Sequence, residues 1–573
     1  MSTAPTLLPP DYYLDHFHQV IDGVTSRYGF LLIDGERDHL RHVMGLSVPA
    51  RMLYARLVNR RGPCFRVGRL AYPEIGALDR PLAELLGAGL LVACVEDLAP
   101  GPTAEALNCF THAELRVSLR GQALPRLARK EILLAWLHEW DGRPAWLLQL
   151  LTGQPVVRLP TGDPWHFLRF LFFADLRDNL SDFVTQALGH VVLEQVTPEH
   201  LRAHFQNRQE ADDAYRMAML YAAFRRLRDT QSASETLGWW HHQSVERGVL
   251  TAGVALFDRL VDRLGRRLER EGATDDALAL YATSPVAPAR ERQARLLIKR
   301  GDRVAARAII DAMQAAPCHA EEDYTGRQLL MRLEKTSRRS EARSYQGTSR
   351  CVVIDYPEGG VEAAVLAHYR SEGWHGTHSE NWLWKSGFGL LLWDIIYDPS
   401  VGTFHSPLQF APGDLHEPLF YERRKAAIED RLLRLAEPRA ALALMERHYQ
   451  AKHGIANPFV YWHDELLSVL EIMVHRLPTE GLAAALRHLA QDVGRRSRGL
   501  PDLFLWTDQT YRFIEIKSAN DQLSAHQYQW LQFLEETGIH VSLERIERPG
   551  FARTRKGDKS RPTHTGTDEA RSA

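Results

Sequence analysis

The run GLPDLFLWTDQTYRFIEIKSANDQLSAHQYQWLQFLEETGIHVSLERI, residues 499–546, decides the fold of the C-terminal part of this chain. LFLW is a short apolar strand, TDQT a polar turn, and YRFIEIK an alternating, β-rich strand, so the spacing predicts a hairpin. SAHQYQWLQFLEE follows as an amphipathic helix with Leu531 and Leu534 inward, stopped by Gly538, and HVSLERI reads as a final strand. Asp502 then stands at the start of one strand, and Glu515 and Lys517 near the end of its partner. Glu515 and Lys517 are two residues apart, so their side chains leave the same face of the sheet. The hairpin brings the carboxylates of Asp502 and Glu515 close together. Hard oxygen ligands of this kind hold Mg²⁺ or Mn²⁺. Such an ion polarises a phosphodiester and lowers the pKa of a water. Lys517 can orient that water and offset developing charge. A Pro-Asp pair alone carries no information; the order strand, turn, strand, helix, strand gives it weight.

Working outward, the 573 residues exceed the size of one core, and three or four domains are expected. The chain is 45% hydrophobic and 25% charged, ordinary for a globular protein. Lys plus Arg number 70 and Asp plus Glu 72, a net charge of -2, so any surface for nucleic acid must be local. The five cysteines, Cys64, Cys94, Cys109, Cys318 and Cys351, form no CxxC pair, which argues against a disulfide framework or a zinc-finger module. No signal peptide and no 18-residue apolar run is visible, so no membrane role is expected and a reducing cytoplasm is the default location. His368, His375 and His378 lack the i, i+4 spacing of a metal pair on a helix, so no separate zinc site is expected.

Upstream, ARMLYARLVNRRGPCFRVGRL places six arginines between Arg51 and Arg69 with no acid. Met52, Leu53, Leu57 and Val58 keep helical spacing, which leaves the arginines an opposite face. Arg60 and Arg61 sit at the helix stop before Gly62-Pro63. Unneutralised arginines at this density repel unless an anion is near, which makes phosphate contact a candidate beside a plain solvated face. In THAELRVSLRGQALPRLARKEILLAWL, Thr111 and Glu114 form a capping box. Gly121 and Pro125 then separate two short helices carrying Arg116, Arg120, Arg126, Arg129 and Lys130. This hairpin resembles a SAP module, which binds duplex backbone. Residues 150–340 read as helices with small residues at i, i+3, i+4 spacing, similar to tetratricopeptide-type (TPR-like) repeats.

The constellation around Asp502 resembles that of the PD-(D/E)XK nucleases, and GLPDLFLW with FIEIKSANDQLSAHQYQWL resembles their VRR-NUC branch, where the helix after the lysine carries a Gln and a Trp, here Gln527 and Trp530. HYRSEGWHGTHSENWLWKSGFGLLLWDIIYD, residues 368–398, and LFYERRKAAIEDRL, residues 419–432, resemble the Fanconi-associated nuclease family, as does the N-terminal stretch from LRHVMGLSVPARMLYARLVNRRG through LLGAGLL. The resemblance implies Glu380, Asp502 and Glu515 as metal ligands, the Ile516 carbonyl as a further one, two ions of Mg²⁺ or Mn²⁺, and Lys517 as catalytic. Gln527 would act from behind these residues. Arg423 and Arg424 match an arginine pair of the family and would grip DNA along with Arg60, Arg61, Arg116, Arg120, Arg126, Arg129 and Lys130. The segment at Glu380 reads HSEN where a more glycine-rich form is expected. No Cys/His cluster matches the ubiquitin-binding zinc finger of animal members, which suggests a bacterial-type member.

The fold class expected is multidomain. An N-terminal α-rich DNA-binding domain (1–95), a SAP-like helical hairpin (96–148) and a TPR-like helical-repeat domain (149–345) precede a C-terminal α/β PD-(D/E)XK (VRR-NUC) nuclease domain (346–550) and a disordered basic tail (551–573). The function implied is a structure-specific, metal-dependent DNA endonuclease and 5′-to-3′ exonuclease. It would cleave 5′ flaps and branched duplex DNA in interstrand-crosslink repair, acting as a monomer on the nucleoid. Rival readings are a VRR-type junction resolvase, or a DNA-bound scaffold with an inactive nuclease fold.

Overall fold

A computed structural model of the chain describes residues 9–60, 62–96, 100–120, 129–140, 142–177, 180–189, 191–334, 345, 347–355, 360–380, 382–518 and 521–548. The chain divides into two compact units. The first comprises Met1–Leu333, Asp394–Leu415 and Lys452–Pro458, and the second Glu334–Trp393, His416–Ala451 and Phe459–Ala573. Asp394–Leu415 and Lys452–Pro458 lie inside the span 346–550 expected to be a nuclease domain, yet they pack with the first unit. Arg61, Arg126 and the basic tail lie outside the described residues.

In the first unit the helix Val48–Val58 forms as its apolar spacing predicts. Ser47 caps its start, and Met52, Leu53, Leu57 and Val58 are buried. Three short strands, β1 (Cys64–Arg66), β2 (Val92–Ala93) and β3 (Val156–Arg158), make an antiparallel sheet in the order β1-β3-β2. β3 and the helix Trp165–Phe173 fall inside the span 149–345 expected to be helical repeats. The β-branched pair Val156-Val157 after the stop at Gly153 favours a strand, and the aromatic helix is buried in the N-terminal core. The repeat-like helices follow, from Arg208–Leu227 to Ala320–Glu334. Small residues do allow close stacking there: a Cβ on Gly265 would stand 2.5 Å from the Tyr281 ring.

The second unit holds a five-stranded sheet. Its strands are β4 (Ser349–Val353), β5 (His375–His378), β6 (Leu503–Trp506), β7 (Tyr511–Ser518) and β8 (Val541–Glu547), in the order β4-β8-β7-β6-β5. β6 and β7 form the expected hairpin, with Leu503 opposite Ile514 and Trp506 opposite Tyr511. The helix Ala525–Glu536 carries the chain over to β8, which runs parallel to β7 as a crossover connection allows. Ser524 and Gln527 make its capping box, Trp530, Leu531 and Leu534 are buried, and Gly538 ends it in the left-handed region at φ 77°. The helix Val361–Ser371 packs Val365, Leu366 and Tyr369 against Leu503, Leu505, Ile514 and Ile516 on one face. On the other face Trp384 lies against Phe513 with ring centres 5.0 Å apart.

Candidate active site

The hairpin register puts Asp502 one step beyond the Leu503–Ile514 pair, directly across from Glu515. Asp502 is 7% exposed and Glu515 fully buried. The Ile516 N–H donates to Asp502 Oδ2 at 2.6 Å, and Lys517 Nζ donates to Glu515 Oε1 at 2.7 Å. Glu515 Oε2 is buried without a partner, an expensive arrangement for a carboxylate. β5 brings in the third acid. The N–H groups of Ser379 and Glu380 both donate to the Asp502 carbonyl, at 2.7 and 3.3 Å, so the backbone of Glu380 is anchored to that of Asp502. The Glu380 side chain itself is exposed.

The electrostatics follow from crowding. Burial pushes Asp502 up to about 6, against the Ile516 N–H and the Lys517 charge, and Glu362 and Glu380 push it the same way. Burial, reinforced by the charge of Asp502, pushes Glu515 up to about 8 despite Lys517. Two buried carboxylates that resist ionisation side by side, one with an unpartnered oxygen, suit a bound cation that would relieve both costs. Among the described residues no three His, Cys, Asp or Glu side chains are arranged to enclose an ion as they stand. The donor chemistry of Asp502 and Glu515 therefore fits a divalent cation, and the charge of Glu380 acts on both carboxylates.

Two neighbours escaped the sequence reading. Glu362, at the start of the helix Val361–Ser371, acts on Asp502 and lies 3.5 Å from His378 Nδ1. Lys385 is half-buried and its ammonium is pushed down by burial and by Arg498, against the charge of Glu380. Neither carries a local signal, because packing between segments more than a hundred residues apart brings Glu362 toward Asp502 and Lys385 toward Arg498. The histidines are otherwise engaged: His375 stacks on Trp506, and His368 faces Glu372 at 3.4 Å. Gln527 spends its side-chain oxygen on the Ser524 N–H at 3.0 Å, capping the helix rather than touching the carboxylates.

The arginines expected to contact DNA divide. Arg120 and Arg129 are exposed, as is Arg116. Lys130 donates to the Asn108 carbonyl at 3.1 Å, and Arg60 to the Tyr72 hydroxyl at 2.9 Å. Arg423 is exposed, but Arg424 is 3% exposed, with its guanidinium 4.6 Å over the Phe420 ring, so it presents no surface charge. The acid-free Arg51–Arg69 stretch is neutralised from elsewhere. Arg56 pairs with Glu74 at 2.6 Å, and Glu114 pairs with Arg66 at 2.9 Å and Arg69 at 2.5 Å. Mutual repulsion therefore gives no reason to place an anion at these three.

Comparison with known proteins accords with this arrangement. The VRR-NUC domain family matches residues 436–545, and the FAN1 HTH domain family matches residues 11–92. A Fanconi-associated nuclease 1 homolog of Pseudomonas aeruginosa is 31% identical over 555 residues, 94% of this chain and 96% of that one. Fanconi-associated nuclease 1 of Homo sapiens is 35% identical over 191 residues, 32% of this chain and 19% of that protein. A crystal structure of paFAN1 bound to DNA with a 2-nucleotide 5′ flap and a gap superimposes with a TM-score of 0.80 at 28% identity, covering 95% of this chain and 99% of that one. With a relative of that identity matched along nearly the whole of both chains, and a nuclease domain family matched over Asp502, Glu515 and Lys517, this chain is a phosphodiester-hydrolysing nuclease and belongs to the Fanconi-associated nuclease family.

Proposed function

We propose that this nuclease cuts 5′-flapped and branched duplex DNA as a monomer, trimming 5′ to 3′ in the repair of interstrand crosslinks in the bacterial cytoplasm. The observation that carries the chemistry is the buried pair Asp502 and Glu515, with Lys517 at 2.7 Å from Glu515. The flapped DNA bound to the paFAN1 relative supports the substrate class. Glu380, Asp502, Glu515 and the Ile516 carbonyl would hold two ions of Mg²⁺ or Mn²⁺, which when bound supply charge neutralisation at the phosphodiester and acidify a water. The Ile516 N–H donates to Asp502 Oδ2, so that oxygen is committed and Oδ1 is the one that would bind an ion. Lys517, held by Glu515, is placed to orient the attacking water and to donate toward charge developing on the phosphate. Arg116, Arg120 and Arg129 would grip backbone without reading sequence.

The test is cleavage of labelled 5′-flap, 3′-flap, four-way and plain duplex DNA with Mg²⁺, with Mn²⁺ and with chelator. Cutting that requires the metal, favours the 5′ flap and disappears in Asp502→Asn supports the reading. Preference for the four-way junction would replace it with a resolvase, and binding without cutting under either metal would replace it with a scaffold.

A further inference from the structure

Just past Glu380, packing within the second unit gathers aromatic rings at the surface that the chemistry above does not use. The Trp382 indole N–H donates to the carbonyl of His378, the last residue of β5, at 2.5 Å. The two N–H groups that follow His378, those of Ser379 and Glu380, are the ones that donate to the Asp502 carbonyl. The indole is thereby tied to the same stretch that anchors the site. His463 stands edge to face against Trp382, with ring centres 4.4 Å apart at 79°. The Tyr461 ring lies 5.7 Å from His463 at 56°. Tyr461 is 64% exposed, whereas Trp382 and His463 are half-buried. Both outer residues are braced through the backbone: the Tyr461 N–H donates to Ser386 Oγ at 3.0 Å, and the Tyr449 hydroxyl donates to the His463 carbonyl at 3.2 Å. Trp462, between them, packs instead against Trp393 and Tyr449.

We propose that Tyr461, backed by His463 and Trp382, is a stacking ledge that takes one unpaired nucleobase of the DNA held at the Asp502 site; this rests on the flapped or branched substrate proposed above. Every base has a π-face, so a tyrosine ring held out to solvent binds one without regard to its identity. A base inside a duplex has both faces covered by its neighbours, so the occupant is a base that a flap or junction leaves unstacked. Asp464 and Glu465 follow His463 and are exposed, so the ledge repels a phosphate and suits an uncharged ring rather than the backbone. The braces behind Tyr461 and His463 hold their backbone before DNA arrives, which reduces the freedom lost on stacking. A base seated there would fix the strand relative to Asp502, because Trp382, His378 and Asp502 are joined by the hydrogen bonds of one short stretch. The ledge therefore sets where a strand lies and leaves its sequence unread.

The experiment measures binding of the full chain, in chelator so that nothing is cut, to 5′-flap DNA carrying one abasic nucleotide moved position by position across the junction. At one position the missing base should weaken binding by about 5- to 100-fold, the range of a single base–aromatic stack. Tyr461→Ala should weaken binding of intact flap DNA by a similar factor and add nothing where that base is already missing. Tyr461→Phe should bind as the unaltered chain does, and Tyr461→Leu, which keeps an apolar side chain but no ring, should behave as Tyr461→Ala. A scan of the unaltered chain with no such position overturns the ledge, as does a loss in Tyr461→Ala that is the same whichever base is missing; in either case flap cleavage by the unaltered chain would leave the substrate reading standing. Failure to bind any flapped or branched DNA would overturn both.

Discussion

Asp502 is held at three points: its carboxylate by the Ile516 N–H and its carbonyl by the N–H groups of Ser379 and Glu380. Asparagine keeps the shape and the acceptor but removes the charge. Asp502→Asn should lower single-turnover cleavage by about 1000-fold or more while leaving flap-DNA affinity within about threefold, because no phosphate contact is lost. Lys517→Ala should lower kcat by about 100-fold or more with little change in Kd; an equal loss in both would make Lys517 a DNA-binding residue. Glu515 makes a prediction about stability. Its folded value of about 8 lies above the ordinary carboxylate range, so the folded state binds this proton more tightly than the unfolded chain. Without metal, its contribution falls as pH rises from about 4.5 through about 8. In chelator, Glu515→Gln should raise the melting midpoint of the second unit by about 2–6 °C at pH 8, with the gain shrinking toward pH 5. A gain that is the same at both pH values would contradict the crowding described for this site. At this scale the sequence was legible where geometry is local. The two-residue period and the short turn place Asp502, Glu515 and Lys517 without further information. Glu362 was invisible because only tertiary packing takes it to Asp502. The expectation of unneutralised arginines between Arg51 and Arg69 failed in the same way at Arg56, Arg66 and Arg69, since Glu74 and Glu114 reach them from beyond the stretch that holds them.

Elements set where these residues stand. The loop before Asp502 meets the start of the helix Ala525–Glu536 at Gly499, whose φ of 80° and close approach both require glycine: a Cβ there would lie 2.7 Å from the His526 backbone. Trp530 ties the same two segments by donating to the Arg496 carbonyl at 3.0 Å. Gly499→Ala should therefore cost about 1–3 kcal/mol of stability and reduce kcat together, since the loop and the β6 start move as one. Thermal melting alongside cleavage kinetics checks this, and a change in neither would release that loop from a positioning role. On the helix His112–Ser118 and just after it, Arg116→Ala with Arg120→Ala should weaken binding to all duplex sequences alike and reduce the slope of log affinity against log salt by about 2. An unchanged slope would return this hairpin to a structural role. The hairpin, the crossover helix and the capping box at Thr111 were readable because caps, turns and periods are written within a few residues. β3 was not, because three residues cannot display a period, and only their pairing with β1 and β2 makes them a strand.

At the scale of the molecule, the expected contiguous domains became interleaved units. Composition and motifs locate the nuclease fold but say nothing of which core a connecting segment joins, and Asp394–Leu415 joins the first. Its Ile396, Phe404 and Leu415 are buried. A fragment of 346–573 should accordingly expose these side chains, bind a hydrophobic dye and melt below the second unit of the full chain. The interleaving also bears on synthesis. A bridge joins Val192 to Ile455, and Lys452 reaches Glu194 at 2.6 Å, both within the first unit. At the usual elongation rates, about 5–20 residues per second, the ribosome needs roughly 13–50 s to travel from one side of that bridge to the other. For that interval the helical N-terminal half waits with its last surface uncovered. The first unit to begin folding is therefore not the first to finish, and a pause or truncation anywhere between these positions leaves it incomplete.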